Sequence, residues 1–514
     1  MAVATPDRIG VGTGIDAGTG NVVELFGHAA RARGRAPAIV GPRGETCWSF
    51  DGLADAAARL AGGLAALDIG PGTRVLVLEP DPRRRYAAVA AVLWAGATVT
   101  VPPASTSPWR AVATAATALP RAVLFGPRLW PIVAAHPALR GLPLRLVMGG
   151  PRLPGCVVLD GLRAAAIDPV PVADTAEALA SFTSGSTGTP KLVVRTHGVL
   201  RGQHEALARL RRLTIEDRDL VGLPMLVLHN LGSGVTSIVP PADGSSSRYR
   251  AAVCDSLARS HPTTAVGFPH LFEAAASAGA AGLRDLRAID LGGSRVSRDL
   301  VLMLRGLAPS ARIQVVYGST EIEPIAAIGA EEYATELGAC ESGSGICVGH
   351  PVAGLEVRLE PLSRAPAEVA GRPVGLVSVR GRHAAASHGA GGWVATGDAG
   401  WIDGPGRLWL LGRASNTVGR LFPFEVELEA ERLTWVRRAA LVRLRDGDAA
   451  RSGLAVEPRE DRPAARAERL RALALLVREH GWPIESIILR RRLPLLRGPS
   501  AKVDATRLRH NRGS

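Results

Sequence analysis

From Asn21 onward the chain alternates between helix-period and strand-like text, and no other feature restricts its fold as strongly. Apolar residues at Leu53, Ala57, Leu60, Leu64 and Leu67 fall on one helical face and predict a helix over 53–67. Pro71-Gly72 then turns the chain into a strand over 74–78. A helix over 82–95 and a strand over 98–101 follow, with further strands at 122–125, 144–148 and 156–159. Helices are also expected over 22–33 and 197–213, and a strand at 192–194. Strand–helix–strand units repeated in this way bury their apolar faces best as parallel sheets covered by helices, so the expected class is α/β.

Composition narrows the class of partner. Hydrophobic content of 46% and charged content of 21% belong to a globular chain with a sizeable core. A net charge of +14 would attract anions such as nucleotides, CoA or an acidic carrier protein. Zinc-finger, helix-turn-helix and RNA-binding signatures are missing, so nucleic acid is not the expected partner. The five cysteines, Cys47, Cys156, Cys254, Cys340 and Cys347, contain no C-x-x-C pair and fit a reducing, cytoplasmic setting. No apolar run reaches membrane-spanning length; the nearest, Tyr86 to Val101, is interrupted by Gly96.

Phe182-Thr183-Ser184-Gly185-Ser186-Thr187-Gly188-Thr189-Pro190-Lys191 is the most specific stretch. Glycines let the backbone approach a ligand, free amides and hydroxyls supply donors, and Lys191 adds a positive charge, so the stretch reads as a polyphosphate clamp. Pro190 before the lysine rules out a Walker loop, which needs Gly there. Of the 61 Lys and Arg residues, only Lys191 and Lys502 are lysines. Retaining lysine in so arginine-rich a chain points to sites that need a compact charge rather than a planar fork.

A second stretch, Val315-Val316-Tyr317-Gly318-Ser319-Thr320-Glu321, delivers an aromatic ring, a close-approach glycine, a hydroxyl and a carboxylate at a strand's C-terminal end. Ligands collect at that end of α/β sheets. Ile289-Asp290-Leu291-Gly292-Gly293-Ser294, Thr396-Gly397-Asp398, Leu411-Gly412-Arg413 and Gly498-Pro499-Ser500-Ala501-Lys502 complete the set. Taken in chain order, these six motifs resemble the adenylate-forming superfamily of acyl-CoA synthetases, luciferases and peptide-synthetase adenylation domains. The likeness extends over roughly residues 21–510.

The resemblance implies a large multi-subdomain N-terminal domain with mostly parallel sheets, 1–411, and a small mobile α+β C-terminal domain, 412–514, hinged at Ser415. It implies ATP and Mg²⁺ as cofactors. Thr183, Ser184, Gly185, Ser186, Thr187, Gly188 and Lys191 would clamp the phosphates. Gly292, Gly293 and Ser294 would lie along the adenine and acyl group, and Tyr317 with Gly318 would pack on adenine. Thr320 would touch the α-phosphate region and Glu321 would hold Mg²⁺. Asp398 would accept the ribose hydroxyls, Arg413 would reach ribose or phosphate, and Lys502 would bridge the substrate carboxylate and the α-phosphate. His229 would line the acyl pocket with Gly292 and Gly318. Amino-acid-activating relatives place an Asp near His229; none occurs between Leu220 and Pro241, which favours an apolar acid.

The expected reaction is therefore activation of an apolar carboxylic acid as acyl-AMP, then thioester formation with CoA or the phosphopantetheine of a carrier protein. Two departures favour a different second step. Ser415-Asn416 replaces the usual acidic pair, and the path to Phe424-Glu425-Val426-Glu427 is several residues short where relatives line a pantetheine channel. The wording of 317–328 and 343–351 also resembles the β-lactone synthetase branch, in which a β-hydroxy acid cyclises without CoA. A nucleotide-binding scaffold without turnover is the third reading.

Overall fold

The structure is a computed structural model that describes residues 20–103, 107–183, 190–240, 247–279, 281–339, 343–362, 368–369, 371–385, 392–446, 449–494, 503 and 508. The side chain of Thr183 lies outside that set. Described residues fall into two compact units: 20–183, 190–290 and 306–312 in the first, 291–305 and 313 onward in the second.

The first unit holds the predicted α/β alternation. One sheet runs, in spatial order, Val157–Val158, Leu144–Val147, Ala122–Phe125, Arg74–Leu78, Thr98–Thr100, Glu177–Thr183 and Lys191–Thr196. All its pairs are parallel except the last, an antiparallel hairpin. Successive residues of a strand point to opposite faces, and here both faces are buried. Val75, Val77, Leu124 and Leu146 join the core under helices Phe50–Ala65 and Pro82–Trp94. Their neighbours Leu76, Leu78, Val123, Phe125 and Val147 join a second core with Val112 and Val133. That is why these strands read as unbroken apolar runs rather than as alternating ones. A second group of strands, Arg218–Val221, Thr236–Ile238, Thr264–Gly267 and Pro37–Val40, also pairs in parallel.

Boundaries shifted for local reasons. The helix expected over 53–67 starts at Phe50, because the Ser49 hydroxyl accepts the Gly52 amide at 3.2 Å and caps it. The helix from His197 stops at Arg211, where Arg212 adopts a left-handed φ of 51°. The strand expected over 156–159 shrinks to Val157–Val158, and Leu159–Gly161 forms a 3₁₀ turn.

In the second unit the strand order is Glu356–Glu360, Gly375–Arg380, Val394–Ile402, Leu408–Arg413, Ile346–Pro351, Ile322–Gly329 and Arg312–Ser319, every pair antiparallel. Beyond it, Val436–Asp446, Ala449–Pro458 and Ser486–Leu489 form a three-stranded sheet with helices Pro423–Arg432 and Arg466–Glu479. Its core of Val426, Ala430, Leu441, Leu454, Val456 and Leu473 draws only on residues 418–489. The fold is thus α/β, with large sheets through Arg413 and a small α+β sheet after it. The described residues from 412 onward all belong to the second unit.

Candidate functional site

Within the second unit, three of the residues singled out from sequence converge. Asp398 and Arg413 face each other in the antiparallel register of strands Val394–Ile402 and Leu408–Arg413. Their ion pair, Arg413 Nε to Asp398 Oδ1 at 3.2 Å, follows directly from that register. Tyr317, near the end of strand Arg312–Ser319, donates its hydroxyl to Asp398 Oδ2 at 2.6 Å. Burial, reinforced by the Asp398 carboxylate, pushes the phenol well above its usual range, so it stays a donor. Asp398 itself is 8% exposed.

Thr396, which sequence reasoning left without a role, completes the frame. Its hydroxyl donates to the Val377 carbonyl at 2.9 Å and accepts the Asp398 amide at 3.1 Å, while its carbonyl accepts Arg413 Nη1 at 2.7 Å. Between Thr396 and Asp398, Gly397 has φ +79°, and a Cβ there would lie 2.9 Å from Arg413 Nη1. Only glycine serves both demands. The result is a carboxylate fixed by a phenol and a guanidinium, with lone pairs left over. Such a group can accept further hydroxyl donors without moving.

Gly292 ends strand Ala288–Gly292, and a Cβ on it would meet the Val316 carbonyl at 2.7 Å. The turn Gly292-Gly293-Ser294 is thereby packed against the residue before Tyr317. Gly318 is similarly confined, with Glu323 Cγ 3.1 Å from a hypothetical Cβ. Thr320 and Glu321 form the turn into strand Ile322–Gly329, and the Glu321 carbonyl accepts the Ala385 amide at 2.8 Å. Among the described residues, no three His, Cys, Asp or Glu side chains gather as a metal cage. Mg²⁺ requires only one or two carboxylates when phosphate oxygens complete its shell, so the half-buried Glu321 fits that need.

The other candidates belong to the first unit or fall outside the description. Lys191 stands exposed opposite Thr183 at the end of the hairpin where its two strands are connected. Ser184, Gly185, Ser186, Thr187, Gly188 and Lys502 lie outside the described residues. Ser415, the expected hinge, sits exposed on the 3₁₀ turn Ala414–Asn416.

His229, on helix Leu226–Ser233, lines an apolar cavity of ≈ 60 Å³ with Val23, Phe26, Leu93, Leu200 and His204. Its Nδ1 lies 3.1 Å from Nδ1 of His204, a residue the sequence reading passed over. Two such nitrogens share one proton, so one ring donates and the other accepts. Burial lowers His204 to about 4 and holds His229 well below the ordinary imidazole range, so both are neutral near pH 7. Helix Leu226–Ser233 is anchored from below. Asn230 Nδ2 donates to Asp219 at 2.9 Å, Asp219 takes both ends of buried Arg211 at 2.9 Å, and Arg211 Nε reaches Asp290 at 2.8 Å.

The olefin beta-lactone synthetase of Xanthomonas campestris pv. campestris is 33% identical over 307 residues, 53% of this chain and 55% of that protein. The one from Stenotrophomonas maltophilia is 31% identical over 294 residues, 51% of this chain and 53% of that protein. The chain therefore spans about half the length of these relatives. Among solved structures, amide bond synthetase McbA from Marinactinospora thermotolerans has a TM-score of 0.76 at 23% identity, covering 95% of this chain and 99% of that one. O-succinylbenzoate Coenzyme A synthetase from Bacillus subtilis, in complex with AMP, has a TM-score of 0.76 at 20% identity, covering 96% of this chain and 99% of that one. Those two likenesses establish the shared fold. The family model described as AMP-binding enzyme matches residues 26–387, well over half the chain, and this chain belongs to the AMP-binding enzymes.

Proposed function

We propose that the chain activates a carboxylic acid with ATP, releasing pyrophosphate, and then closes the acyl-adenylate of a β-hydroxy acid to a β-lactone. The observation that carries the first step is the Asp398 carboxylate, held between Tyr317 and Arg413 with lone pairs to spare for the ribose hydroxyls. A carboxylate and a polyphosphate repel each other, so the step needs alignment and charge neutralisation rather than a covalent protein nucleophile. Lys191 with Thr183, Ser184, Gly185, Ser186, Thr187 and Gly188 would take the phosphates. Tyr317, Gly318, Gly292, Gly293 and Ser294 would seat the adenine, and Thr320 would meet the α-phosphate. Glu321 would hold Mg²⁺, which when bound offsets charge on the phosphates. Lys502 would bridge carboxylate and α-phosphate, carried by residues 412–514 moving about Ser415.

In the second step the β-hydroxyl oxygen attacks the acyl carbon, its proton leaves, and AMP departs. The names of the two synthetases above support this closure. The short path from Ser415 to Pro423, one 3₁₀ turn and a single Val418–Leu421 bridge, supports it as well. The second reading, thioester formation on CoA or a carrier protein, draws on a 26% identical long-chain-fatty-acid–CoA ligase of Thermus thermophilus. An apolar acid suits the lining beside His229 in either case. One incubation with ATP, Mg²⁺ and a β-hydroxy acid, with and without CoA, decides by mass spectrometry. AMP plus a cyclic product one water lighter, formed without CoA, supports the lactone. An acyl-CoA appearing only with CoA supports the thioester, and no pyrophosphate with any acid would overturn both.

A further inference from the structure

Arg295 directly follows the Gly292-Gly293-Ser294 turn. Its guanidinium lies over the Phe424 ring at 5.7 Å. Nη2 hydrogen-bonds Glu431 Oε1, and Nη1 lies 3.8 Å from Glu427 Oε2. The two glutamates stand four residues apart on one face of helix Pro423–Arg432. Both already serve a strand. Glu427 Oε1 accepts the Leu441 amide at 3.1 Å, and Glu431 Oε1 accepts the Ala439 amide at 2.9 Å. Those amides line the outer edge of strand Val436–Asp446, whose other edge pairs with Ala449–Pro458. Open edges need covering, and these carboxylates cover this one.

Two carboxylates thus share one arginine in a largely buried place. Besides the two glutamates, the phenol of Tyr333 faces Arg295. Burial keeps its phenol protonated, and it donates to the Val296 carbonyl at 2.7 Å. We propose that Arg295 is a positioning residue: through Glu431 and Glu427 it clamps the Gly292–Ser294 turn to helix Pro423–Arg432. Burial, with Glu431 beside it, raises Glu427 from the ordinary 4.5 to about 7 against the pull of Arg295 and the Leu441 amide. A raised carboxyl favours the clamped form while protonated. Glu427's own contribution to the clamp is therefore full below about 4.5 and is lost as pH rises through about 7, by at most ~10-fold per pH unit. Above that, the second carboxylate is charged with no cation of its own. The exposed pair Arg459–Asp299 joins the end of strand Ala449–Pro458 to helix Arg298–Leu307 instead and, at 3.0 Å in water, holds little.

Amide hydrogen exchange at Ala439 and Leu441, corrected for intrinsic rate, reads the clamp without any assay of activity. Between about pH 5 and about pH 8, protection should fall in the wild type. It should stay level in Glu427→Gln, which keeps the acceptor but cannot titrate. Arg295→Met should lose protection at every pH with its circular dichroism unchanged, and Arg295→Lys should recover part of it. Protection that is level in the wild type, or identical in Arg295→Met, overturns the clamp. The consequence for nucleotide rests on the adenylation reading above. Calorimetry should find ATP bound several-fold more weakly by Arg295→Met, with Asp398→Ala as reference. If Asp398→Ala weakens ATP and Arg295→Met does not, the turn has no positioning role. If the wild type binds no ATP, the adenylation reading fails, and the exchange data alone judge the clamp.

Discussion

Replacing Asp398 by Ala tests the structure and the function at once. The carboxylate accepts a short bond from a half-buried phenol and an ion pair from Arg413. Arg413 is 44% exposed on its side chain and keeps its bond to the Thr396 carbonyl, so losing the pair costs about 0–1 kcal/mol. The Tyr317 hydroxyl is half-buried with the Thr396 side chain as its remaining partner, and a donor stripped of its main acceptor there costs about 1 kcal/mol. Most of the loss should therefore vanish in a Tyr317→Phe background, where the orphaned hydroxyl is gone too. Urea denaturation of the wild type, both single variants and the double variant should give a coupling of ~1 kcal/mol. ATP affinity is the second reading. A charge-assisted bond contributes about 1.5–3 kcal/mol, and every 1.4 kcal/mol is tenfold, so calorimetry should register a ~10- to 100-fold weakening. Additive single effects on stability would refute the Tyr317–Asp398 bond. Full ATP affinity in Asp398→Ala would refute the ribose role even if the bond is real.

Arg211→Met should cost about 3–5 kcal/mol by denaturant titration, since it leaves Asp219 and Asp290 buried without their central cation; a loss under ~1 kcal/mol would mean the cluster is hydrated. Stability should also fall as pH drops from 6.5 toward about 4. Burial depresses His197, His204 and His229, so the unfolded chain takes up their protons first, about 1.4 kcal/mol per pH unit for each. Glu427 opposes this by a single proton, and Glu427→Gln should steepen the acid limb, a comparison that melting curves across the range can make. Lys502→Ala should nearly abolish acid-dependent pyrophosphate–ATP exchange while leaving the circular dichroism unchanged, and Lys502→Arg should also be impaired because a fork replaces a point charge. Wild-type exchange in either variant would remove Lys502 from the reaction.

Much of the first unit was legible because period and polarity agree there. The face Leu53, Ala57, Leu60, Leu64 gave a helix, and runs such as Ala122–Phe125 gave strands buried on both sides. The antiparallel order of the second unit was not legible. Ladder direction depends on which strands become neighbours, and nothing local to Val394–Ile402 states that Leu408–Arg413 lies beside it. Tyr317, Asp398 and Arg413 were readable as separate motifs, but not as one hydrogen-bonded group. Thr396 and His204 carry no signal of their own, being a hydroxyl and an imidazole in ordinary text. Arg295 was hidden differently: its partners lie more than 130 residues away, so only the folded chain brings a single guanidinium to Glu427 and Glu431.

The small sheet after Arg413 builds one core from residues 418–489 and a second with Leu493 and Leu508, and neither draws on anything earlier in the chain. For protein engineering this marks a seam. A cut in the turn Ala414–Asn416 severs no member of either core, but Gly412 packs closely on Pro423 and Arg295 lies over Phe424, so a counterpart grafted from 418 onward must keep those contacts. Two ionic requirements travel with the graft. The incoming helix must offer carboxylates to Arg295, and the incoming edge strand must find acceptors for its outer amides. Chimeras chosen on those two criteria would separate the chemistry that makes the adenylate from the chemistry that consumes it.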